Sequence, residues 1–248
     1  MYNNDMRTLL KFLLLVIVVT ILAGVAFAAY LGFVPGLSKY FGIAKPKDLG
    51  VTYSKQDYDT YLKKAGFTVE TVKEPKNGKS IEFSGKSAVS QTFSQEEISG
   101  RLNYSQWKYM LISNTQIRIN NDGTVEMSAN LNTDKLTGFI QAVGGGSYSG
   151  EEIEKAKGIL NKLPPNLPVY AKFTAEVKNN KADISVQALQ IGHFTIPLDK
   201  IGGDAAVEAV TDHIFEIVPG FYAEQVSFSD GKMQFKGSAP NKVLVQTD

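Results

Sequence analysis

Histidine binds metals and transfers protons near neutral pH, and the chain contains two such residues, His193 and His213. A metal site needs further His, Asp or Glu at ligand spacing, for example i and i+4 on one helix face. Asp212 and Glu216, on either side of His213, come closest to that pattern. A single histidine with acidic neighbours on a helix is typical of a solvated surface. We therefore expect no metal site.

Patterns for nucleophilic and acid–base catalysis are equally sparse. Ser147 lies in a glycine-rich stretch that imitates the G-x-S-x-G motif without the preceding strand that would hold a serine on a strained turn. Glu96-Glu97 and Glu151-Glu152 each begin a predicted helix, where carboxylates stabilise the positive end of the helix dipole. The sequence has no G-x-x-x-x-G-K-[ST] loop and no G-x-G-x-x-G turn. We predict that the protein is not an enzyme and has no cofactor; two acids converging in one pocket would favour a hydrolase instead.

Composition narrows the class of protein further. Lys and Arg number 26 against 25 Asp and Glu, and the resulting net charge of +1 argues against a general nucleic-acid binder. The absence of cysteine excludes disulfides, thiol nucleophiles, thiolate metal sites and a lipoprotein-type cysteine anchor. An ordinary globular composition with a preference for β-structure remains.

An uncharged apolar run, Phe12–Val34, is the most informative segment of the chain. About 20 apolar residues in a helix cross the ~30 Å hydrocarbon core of a bilayer. Ala26-Phe27-Ala28 resembles a signal-peptidase site, so a cleaved secretory signal is one alternative interpretation, and a buried helix of a soluble protein is another. The apolar core of a signal peptide normally covers about 7–15 residues, and this run is longer. We therefore predict that Phe12–Val34 is a retained single-pass anchor in the bilayer.

The anchor divides the chain into a short tail, residues 1–11, and the part that follows residue 34. Basic residues flank both ends of the anchor, and their count alone slightly favours a cytoplasmic C-terminal part. The tail carries the free amine, however, and the likeness of the apolar run to an export signal places the tail in the cytoplasm. We predict a connector at 35–53 and an extracytoplasmic domain at 54–248, which locates the protein at the cell membrane.

Two capping boxes indicate where helices begin. Ser54 precedes Asp57 by three residues, and Ser94 precedes Glu97 by the same spacing. Apolar residues at three- and four-residue spacing mark the helices themselves. The predicted helices are 55–65, 95–104, 134–143, 151–162 and 203–217.

Alternating apolar residues indicate strands, and two Asp-Gly pairs, Asp122-Gly123 and Asp230-Gly231, predict tight hairpin turns. Strands, a helix and an Asp-Gly hairpin occur in each half, which suggests a repeat of residues 80–132 and 169–240; accidental recurrence of this common order is the other explanation. The predicted fold class is α+β: an N-terminal transmembrane helix, then a mainly antiparallel, curved β-sheet wrapped around amphipathic helices. The predicted strands are 67–72, 80–92, 109–120, 124–132, 169–178, 181–191, 221–229 and 232–238.

Such a fold has either a packed core or an apolar cleft between the sheet and its helices. The apolar stripe of the helix at 203–217 is the best candidate to line a cleft, and simple core packing is the alternative. The candidate cleft residues are Ile98, Leu102, Ala206, Val207, Val210, Ile214 and Phe215.

Several motifs resemble those of a group of bacterial envelope proteins. They are the Ser-x-x-Glu helix ending at Leu102-Asn103, the Asp-Gly hairpin after it, and Gln190–Pro197 with its G-x-x-x-I-P sequence. With the anchor, they make about residues 80–240 similar to the YpmS-like and LmeA-like single-pass proteins, which are related in form to tubular lipid-binding (TULIP-like) domains. The resemblance implies a long curved sheet around helices, an apolar cleft for acyl chains and no catalytic residues. Residues 36–79 have no counterpart in it.

The sequence therefore predicts a membrane-anchored extracytoplasmic protein that binds lipid or another apolar envelope molecule. Burial of acyl chains in the cleft would contribute about 0.8 kcal/mol per CH₂ group. A non-enzymatic envelope scaffold or protein-interaction domain without a ligand cleft is the alternative.

Overall fold

The computed structural model describes residues 19–31, 34, 45–75, 77–143, 165–198 and 203–248 of the chain. Residues 19–30 are helical. The helices after them are α1 (Lys55–Ala65), α2 (Gln95–Asn103), α3 (Leu136–Val143) and α4 (Gly203–Ile217), with a 3₁₀ turn at Thr133–Lys135. The strands are β1 (Thr68–Val72), β2 (Ile81–Ser84), β3 (Ser87–Ser94), β4 (Ile112–Ile119), β5 (Val125–Leu131), β6 (Leu167–Lys178), β7 (Lys181–Ile191), β8 (Phe194–Thr195), β9 (Tyr222–Ser229), β10 (Lys232–Ala239) and β11 (Lys242–Gln246).

Local sequence signals explain where α1 and α2 begin. The Ser54 hydroxyl accepts a hydrogen bond from the Asp57 N–H, and the Asp57 carboxylate accepts one from the Ser54 N–H. Ser94 and Glu97 form the same capping box in front of α2. Gly66, with a φ of 68°, ends α1 in the left-handed conformation. The predicted bounds of α1, α2 and α4 agree with the structure to within one residue.

Two predicted elements fall partly or wholly outside the described residues. The helix predicted at 151–162 lies outside them, and so does the first part of the apolar run, residues 12–18. Over the part of the chain that the structure describes, no helix has both the length and the apolar character needed to cross a bilayer. The predicted helix at 134–143 is a 3₁₀ turn followed by α3.

The larger sheet is antiparallel throughout and is organised around β6, its longest strand. β7 pairs with one edge of β6, and the short β8 pairs with the end of β7. The other edge of β6 has two partners, β5 along Leu167–Phe173 and β9 at Val177 and Lys178. β4 extends the sheet beyond β5, whereas β10 and β3 extend it beyond β9. The predicted α+β class with a mainly antiparallel sheet is confirmed.

Helix α2 fills the space between the two arms of this sheet, β4-β5 and β9-β10-β3. It follows β3 directly, and its side chains four residues apart accept hydrogen bonds from alternate N–H groups of β4. The acceptor and donor residues are Gln95 and Ile119 (3.0 Å), Ser99 and Ile117 (2.9 Å), and Asn103 and Thr115 (2.8 Å).

Helix α4 covers the edge of β7 in the same way, with carboxylates as acceptors. Four helical residues rise about 6.0 Å and two strand residues about 6.6 Å, so the two elements stay in register over three contacts. An uncovered edge strand would offer these N–H groups to another chain. The acceptor and donor residues are Asp204 and Val186 (2.7 Å), Glu208 and Ile184 (3.0 Å), and Asp212 and Ala182 (3.1 Å).

Apolar side chains fill the space that the two arms and α2 enclose. One buried cluster is centred on Ile117, Ile119 and Val125. Phe228 and Met233 contact this cluster and also a neighbouring cluster around Val177, Ala223 and Val226. The shared contacts make the two clusters one interior core, the name used below.

A smaller sheet has the strand order β1-β11-β2, with β1 parallel to β11. Its core contains the buried residues Trp107 and Val243. The sequence predicted no strand at 242–246 and one continuous strand at 80–92, and both predictions are wrong. Gly85, with a φ of 70°, turns the chain from the small sheet into the large one, which divides the predicted strand into β2 and β3.

The two predicted repeat halves share an order of elements and differ in their contacts. Both Asp-Gly hairpins form, as β4-β5 and β9-β10. Helix α2, however, bonds to the strand that follows it in the chain, and α4 bonds to the strand that precedes it. Duplication of the two halves stays a prediction.

Candidate functional site

Ile98 and Leu102, two of the candidate cleft residues, lie on the side of α2 that faces the interior core. Both are half-buried. They pack against the buried cluster of Ile117, Ile119 and Val125. These two side chains therefore contribute to core packing, which was the alternative to a cleft.

Phe215 occupies a similar position on α4. It packs against the neighbouring cluster around Val177 and Val226. Its ring is stacked on that of Phe221, with centroids 5.1 Å apart. Core packing again accounts for the residue.

The other candidate cleft residues lie elsewhere on α4. Val207 and Ile214 keep 38% and 37% of their surface exposed, and their seven-residue spacing puts them on one face of the helix. The side chains of Ala206 and Val210 lie outside the described residues. The structure thus separates the candidates into core side chains and an exposed pair on α4.

The helical residues 19–30 present large apolar side chains to their surroundings. Such a helix, apolar on every side, is characteristic of a membrane span or of a helix buried in a large core. Exposed apolar surface on this scale marks an interaction with a membrane or a protein. The exposed side chains are Val19, Ile21, Leu22, Val25, Phe27 and Tyr30, with between 40% and 63% of their surface accessible.

The C-terminal end of this helix contacts the domain. The rings of Tyr30 and His193 pack edge to face, with centroids 4.8 Å apart. Ala29 is completely buried. His193 lies in the turn between β7 and β8, and Phe194 next to it is exposed. The apolar helix therefore meets the sheet at the end of β7.

Residues 45–51, called the strap below, cross the face of the sheet opposite the interior core. Lys47 Nζ lies 4.0 Å from the centre of the Tyr170 ring, on β6. Gln116 Oε1, on β4, accepts a hydrogen bond of 2.7 Å from the Leu49 N–H. Leu49 is buried and packs in one cluster with Tyr170. These contacts fix the strap, which lies between the apolar helix and α1 in the chain, to β4 and β6 of the large sheet.

A cavity of about 320 Å³, called the strap cavity below, opens between the strap and the end of β7. Small-molecule sites typically enclose about 300–1,000 Å³, so the cavity lies at the lower limit of that range. Its walls combine prolines of the strap and of β6 with polar side chains. The polar side chains are those of Lys45, Lys47, Tyr170, Gln190 and His193.

Glu126 joins the strap to the sheet electrostatically. Its carboxylate accepts hydrogen bonds from the Tyr170 hydroxyl at 3.0 Å and from Asn120 Nδ2 at 3.2 Å, and Lys47 Nζ lies 4.0 Å away. Burial raises the pKa of Glu126, but the two hydrogen bonds and the charges of Lys47 and Arg118 outweigh it and hold that pKa below its ordinary value. Burial and the bond to Glu126 raise the pKa of Tyr170 to about 12, so its hydroxyl stays a donor.

No family model, no curated protein and no solved structure matches this chain. The TULIP-like resemblance therefore rests on the sequence motifs alone. In the structure these motifs lie in different places: α2 contributes to the interior core, whereas Gln190–Pro197 contributes Gln190 and His193 to the strap cavity.

Two further cavities are open and polar. One, of about 690 Å³, lies where the two Asp-Gly turns meet and has charges of both signs, including Asp122, Asp230, Arg118 and Lys172. The other, of about 460 Å³, lies between α1 and the segment after α2 and includes Tyr58. The first cavity lacks the apolar lining expected of an acyl-chain site, and the second combines Leu62, Val69 and aromatic rings with charged and polar side chains.

Some of the residues that the sequence suggested for catalysis or metal binding have structural partners, and others lie outside the described part of the chain. Among the described residues, no group of three or more His, Asp or Glu side chains could hold a metal ion. Asp212 forms an ion pair with Lys181 at 3.0 Å in addition to its bond to β7. Glu97 belongs to the capping box of α2 and pairs with Lys64 at 2.7 Å. Ser147 and Glu151-Glu152 lie outside the described residues.

Sequence reasoning assigned no role to most residues of the strap cavity. It treated residues 35–53 as a connector, considered His193 as a metal ligand, and used Gln190–Pro197 only as a motif of the TULIP-like resemblance. The available signal was the Lys-Pro-Lys sequence at 45–47, shortly after the apolar run, because long lysine side chains near the end of a membrane helix extend to the membrane–water interface. The contact of this sequence with Tyr170 is long-range and had no local signal.

Proposed function

We propose that this chain is a single-pass membrane protein of the bacterial cell envelope whose domain binds lipid outside the cytoplasm. The proposal follows the TULIP-like resemblance in assigning no catalysis and no cofactor to the domain. The contact between Tyr30 and His193 carries the proposal, because it joins the apolar helix directly to the wall of the strap cavity.

The exposed surface of the apolar helix supports the membrane part of this proposal. Transfer of apolar surface from water to hydrocarbon releases about 25 cal/mol per Å², and six large side chains of residues 19–30 are exposed. Insertion of Phe12–Val34 into a bilayer would bury them. The strap cavity would then lie beside the headgroup region, where the domain meets lipid at high effective concentration.

The interior core contains several of the side chains that were expected to line a cleft, which affects how a lipid could bind to the domain. Ile98, Leu102 and Phe215 contribute to that core in the structure. A lipid bound at the strap cavity would instead leave its acyl chains in the bilayer and present its headgroup to the domain. In this arrangement the domain recognises a membrane lipid without extracting it.

Native mass spectrometry of the full chain tests this proposal. The protein would be extracted from bacterial membranes in a mild non-ionic detergent and analysed together with a Tyr30→Ala/His193→Ala variant. We expect stoichiometric lipid adducts on the wild-type chain and weaker retention by the variant, because the variant loses the contact beside the cavity. A lipid-free mass at every lipid-to-protein ratio would overturn the proposal.

The exposed pair on α4 favours a second candidate function, that of an envelope scaffold. Val207 and Ile214 form an apolar strip on α4, on a different side of the helix from the carboxylates that bond to β7. Under this candidate function, a Val207→Ser/Ile214→Ser variant would abolish association of the purified chain with itself or with a partner while lipid retention stays unchanged. Light scattering of the detergent-solubilised chain distinguishes the two functions.

A further inference from the structure

Two lysines line the strap cavity, and the carboxylates around it do not pair closely with them. Lys45 has no acidic partner among the described residues, and Lys47 lies 4.0 Å from Glu126, a long distance for an ion pair. Glu126 already accepts hydrogen bonds from Tyr170 and Asn120. The ammonium groups of both lysines are therefore available to pair with an anionic ligand.

The uncharged walls of the cavity suit a phosphate-bearing group. Gln190 and the exposed His193 line it at the end of β7 and can donate hydrogen bonds to phosphate oxygens. Lysine binds phosphate as a flexible point charge, which suits a cavity open on one side. At about 320 Å³, the cavity has room for a phosphate together with a small esterified alcohol.

The strap cavity lies next to the apolar helix, and this position indicates where a phosphate-bearing ligand would come from. The apolar helix ends at Tyr30, which contacts the cavity wall at His193. Tyr30 and Phe194 keep 46% and 43% of their surface exposed on that side. Exposed aromatic residues next to lysines are typical of the level at which lipid headgroups lie.

We propose that the strap cavity binds the phosphate of an anionic lipid headgroup, with Lys45 and Lys47 supplying the charge and Gln190 and His193 the hydrogen bonds. This inference rests on the proposed function, since it places the cavity at the bilayer surface. The inference adds to the proposed function the chemical class of the ligand, an anionic phosphate group. A soluble phosphate ester carries the same phosphate group and could bind to the same residues.

A charge-matched pair of variants tests the inference on the full chain in non-ionic detergent. Lys45→Gln/Lys47→Gln removes the two charges of the cavity. Lys236→Gln/Lys242→Gln removes two half-exposed lysines that pair with Glu224 and Glu70, away from the cavity, and serves as the control. Short-chain phosphatidylglycerol, short-chain phosphatidylcholine and inorganic phosphate are each titrated, and binding is measured by calorimetry and native mass spectrometry.

We expect the wild-type chain and the control variant to bind phosphatidylglycerol at least tenfold more tightly than the Lys45→Gln/Lys47→Gln variant does. We also expect a wild-type preference for phosphatidylglycerol over phosphatidylcholine. Binding of inorganic phosphate as tight as that of phosphatidylglycerol, and lost in the same variant, would support the anion site and assign it to a soluble ester.

The failures of the two proposals differ. If all three proteins retain lipid equally and without preference for negative charge, the headgroup inference is wrong and lipid binding stands. If the wild-type chain binds inorganic phosphate through the two lysines but retains no lipid, the anion site stands and the proposed function is wrong. If the wild-type chain binds neither probe, both are wrong.

Discussion

At the scale of single residues, Glu126 links parts of the chain that are distant in sequence. Its carboxylate accepts hydrogen bonds from Tyr170 on β6 and from Asn120 at the end of β4, and it faces Lys47 of the strap. Register pairing also places Arg118 and Lys172 directly across from it on the neighbouring strands. Cross-strand charges of opposite sign stabilise a sheet, so Glu126 supports both the sheet and the wall of the strap cavity.

Replacing Glu126 by glutamine should make the domain less sensitive to acid. Because the pKa of Glu126 lies below its unfolded value of 4.5, the carboxylate contributes its full stability above about pH 4.5 and loses it as the pH falls through the folded-state pKa. We expect the Glu126→Gln variant to be less stable by about 1 kcal/mol at neutral pH and to approach wild-type stability in acid. Urea unfolding of the full chain in detergent, followed by circular dichroism, measures the free energy of unfolding of both proteins. The measurements cover roughly pH 3 to pH 7, the range in which carboxylates titrate.

Glu74→Gln is the control for this prediction, because Glu74 is exposed in the turn after β1. Its stability should follow that of the wild-type chain at every pH. Parallel pH profiles for wild type and Glu126→Gln would show that folding does not lower the pKa of Glu126.

At the scale of elements, the two helices that cover strand edges determine how the large sheet ends. The side chains of α2 and α4 replace a further strand by accepting the N–H bonds of β4 and β7. A buried or half-buried N–H without an acceptor costs about 1–3 kcal/mol. Asp204, Glu208 and Asp212 of α4 therefore stabilise the edge of β7.

Glu208→Ala should destabilise the domain by about 1–2 kcal/mol, because the Ile184 N–H loses its acceptor. Glu216→Ala removes the same kind of side chain one helical turn beyond Asp212, where the side chain is exposed, and should change stability by less than about 0.5 kcal/mol. Thermal unfolding and amide hydrogen exchange of β7 measure the difference. Equal effects of the two substitutions would show that α4 does not satisfy the edge through its carboxylates.

Elements defined by neighbouring residues could be predicted from the sequence. The capping boxes at Ser54 and Ser94 and the two Asp-Gly turns are local, and the structure has the predicted helices and hairpins there. The parallel pairing of β1 with β11 joins residues at opposite ends of the domain, so no local pattern indicated β11. The strap cavity escaped prediction for the same reason: Lys47 with Tyr170, and Tyr30 with His193, are contacts between distant segments.

For the molecule as a whole, the proposed lipid binding at the strap cavity requires a defined orientation of the domain on the membrane. The strap cavity and Phe194 lie at one end of the β6-β7 hairpin, and the Asn179-Asn180 turn lies at the other. About ten strand residues separate the two ends, which corresponds to about 30 Å. In the proposed arrangement, the first end lies at the headgroups and the second end lies in the solvent away from the membrane.

Depth-dependent fluorescence quenching measures the orientation of the domain on the membrane. The chain has no cysteine, so Phe194→Cys and Lys178→Cys each introduce a single labelling site, near the cavity and near the distant turn. In vesicles that contain the full chain and a headgroup-attached quencher, we expect strong quenching of a fluorophore at position 194 and little at position 178. Equal quenching at both positions, or stronger quenching at position 178, would contradict an orientation in which the strap cavity faces the bilayer.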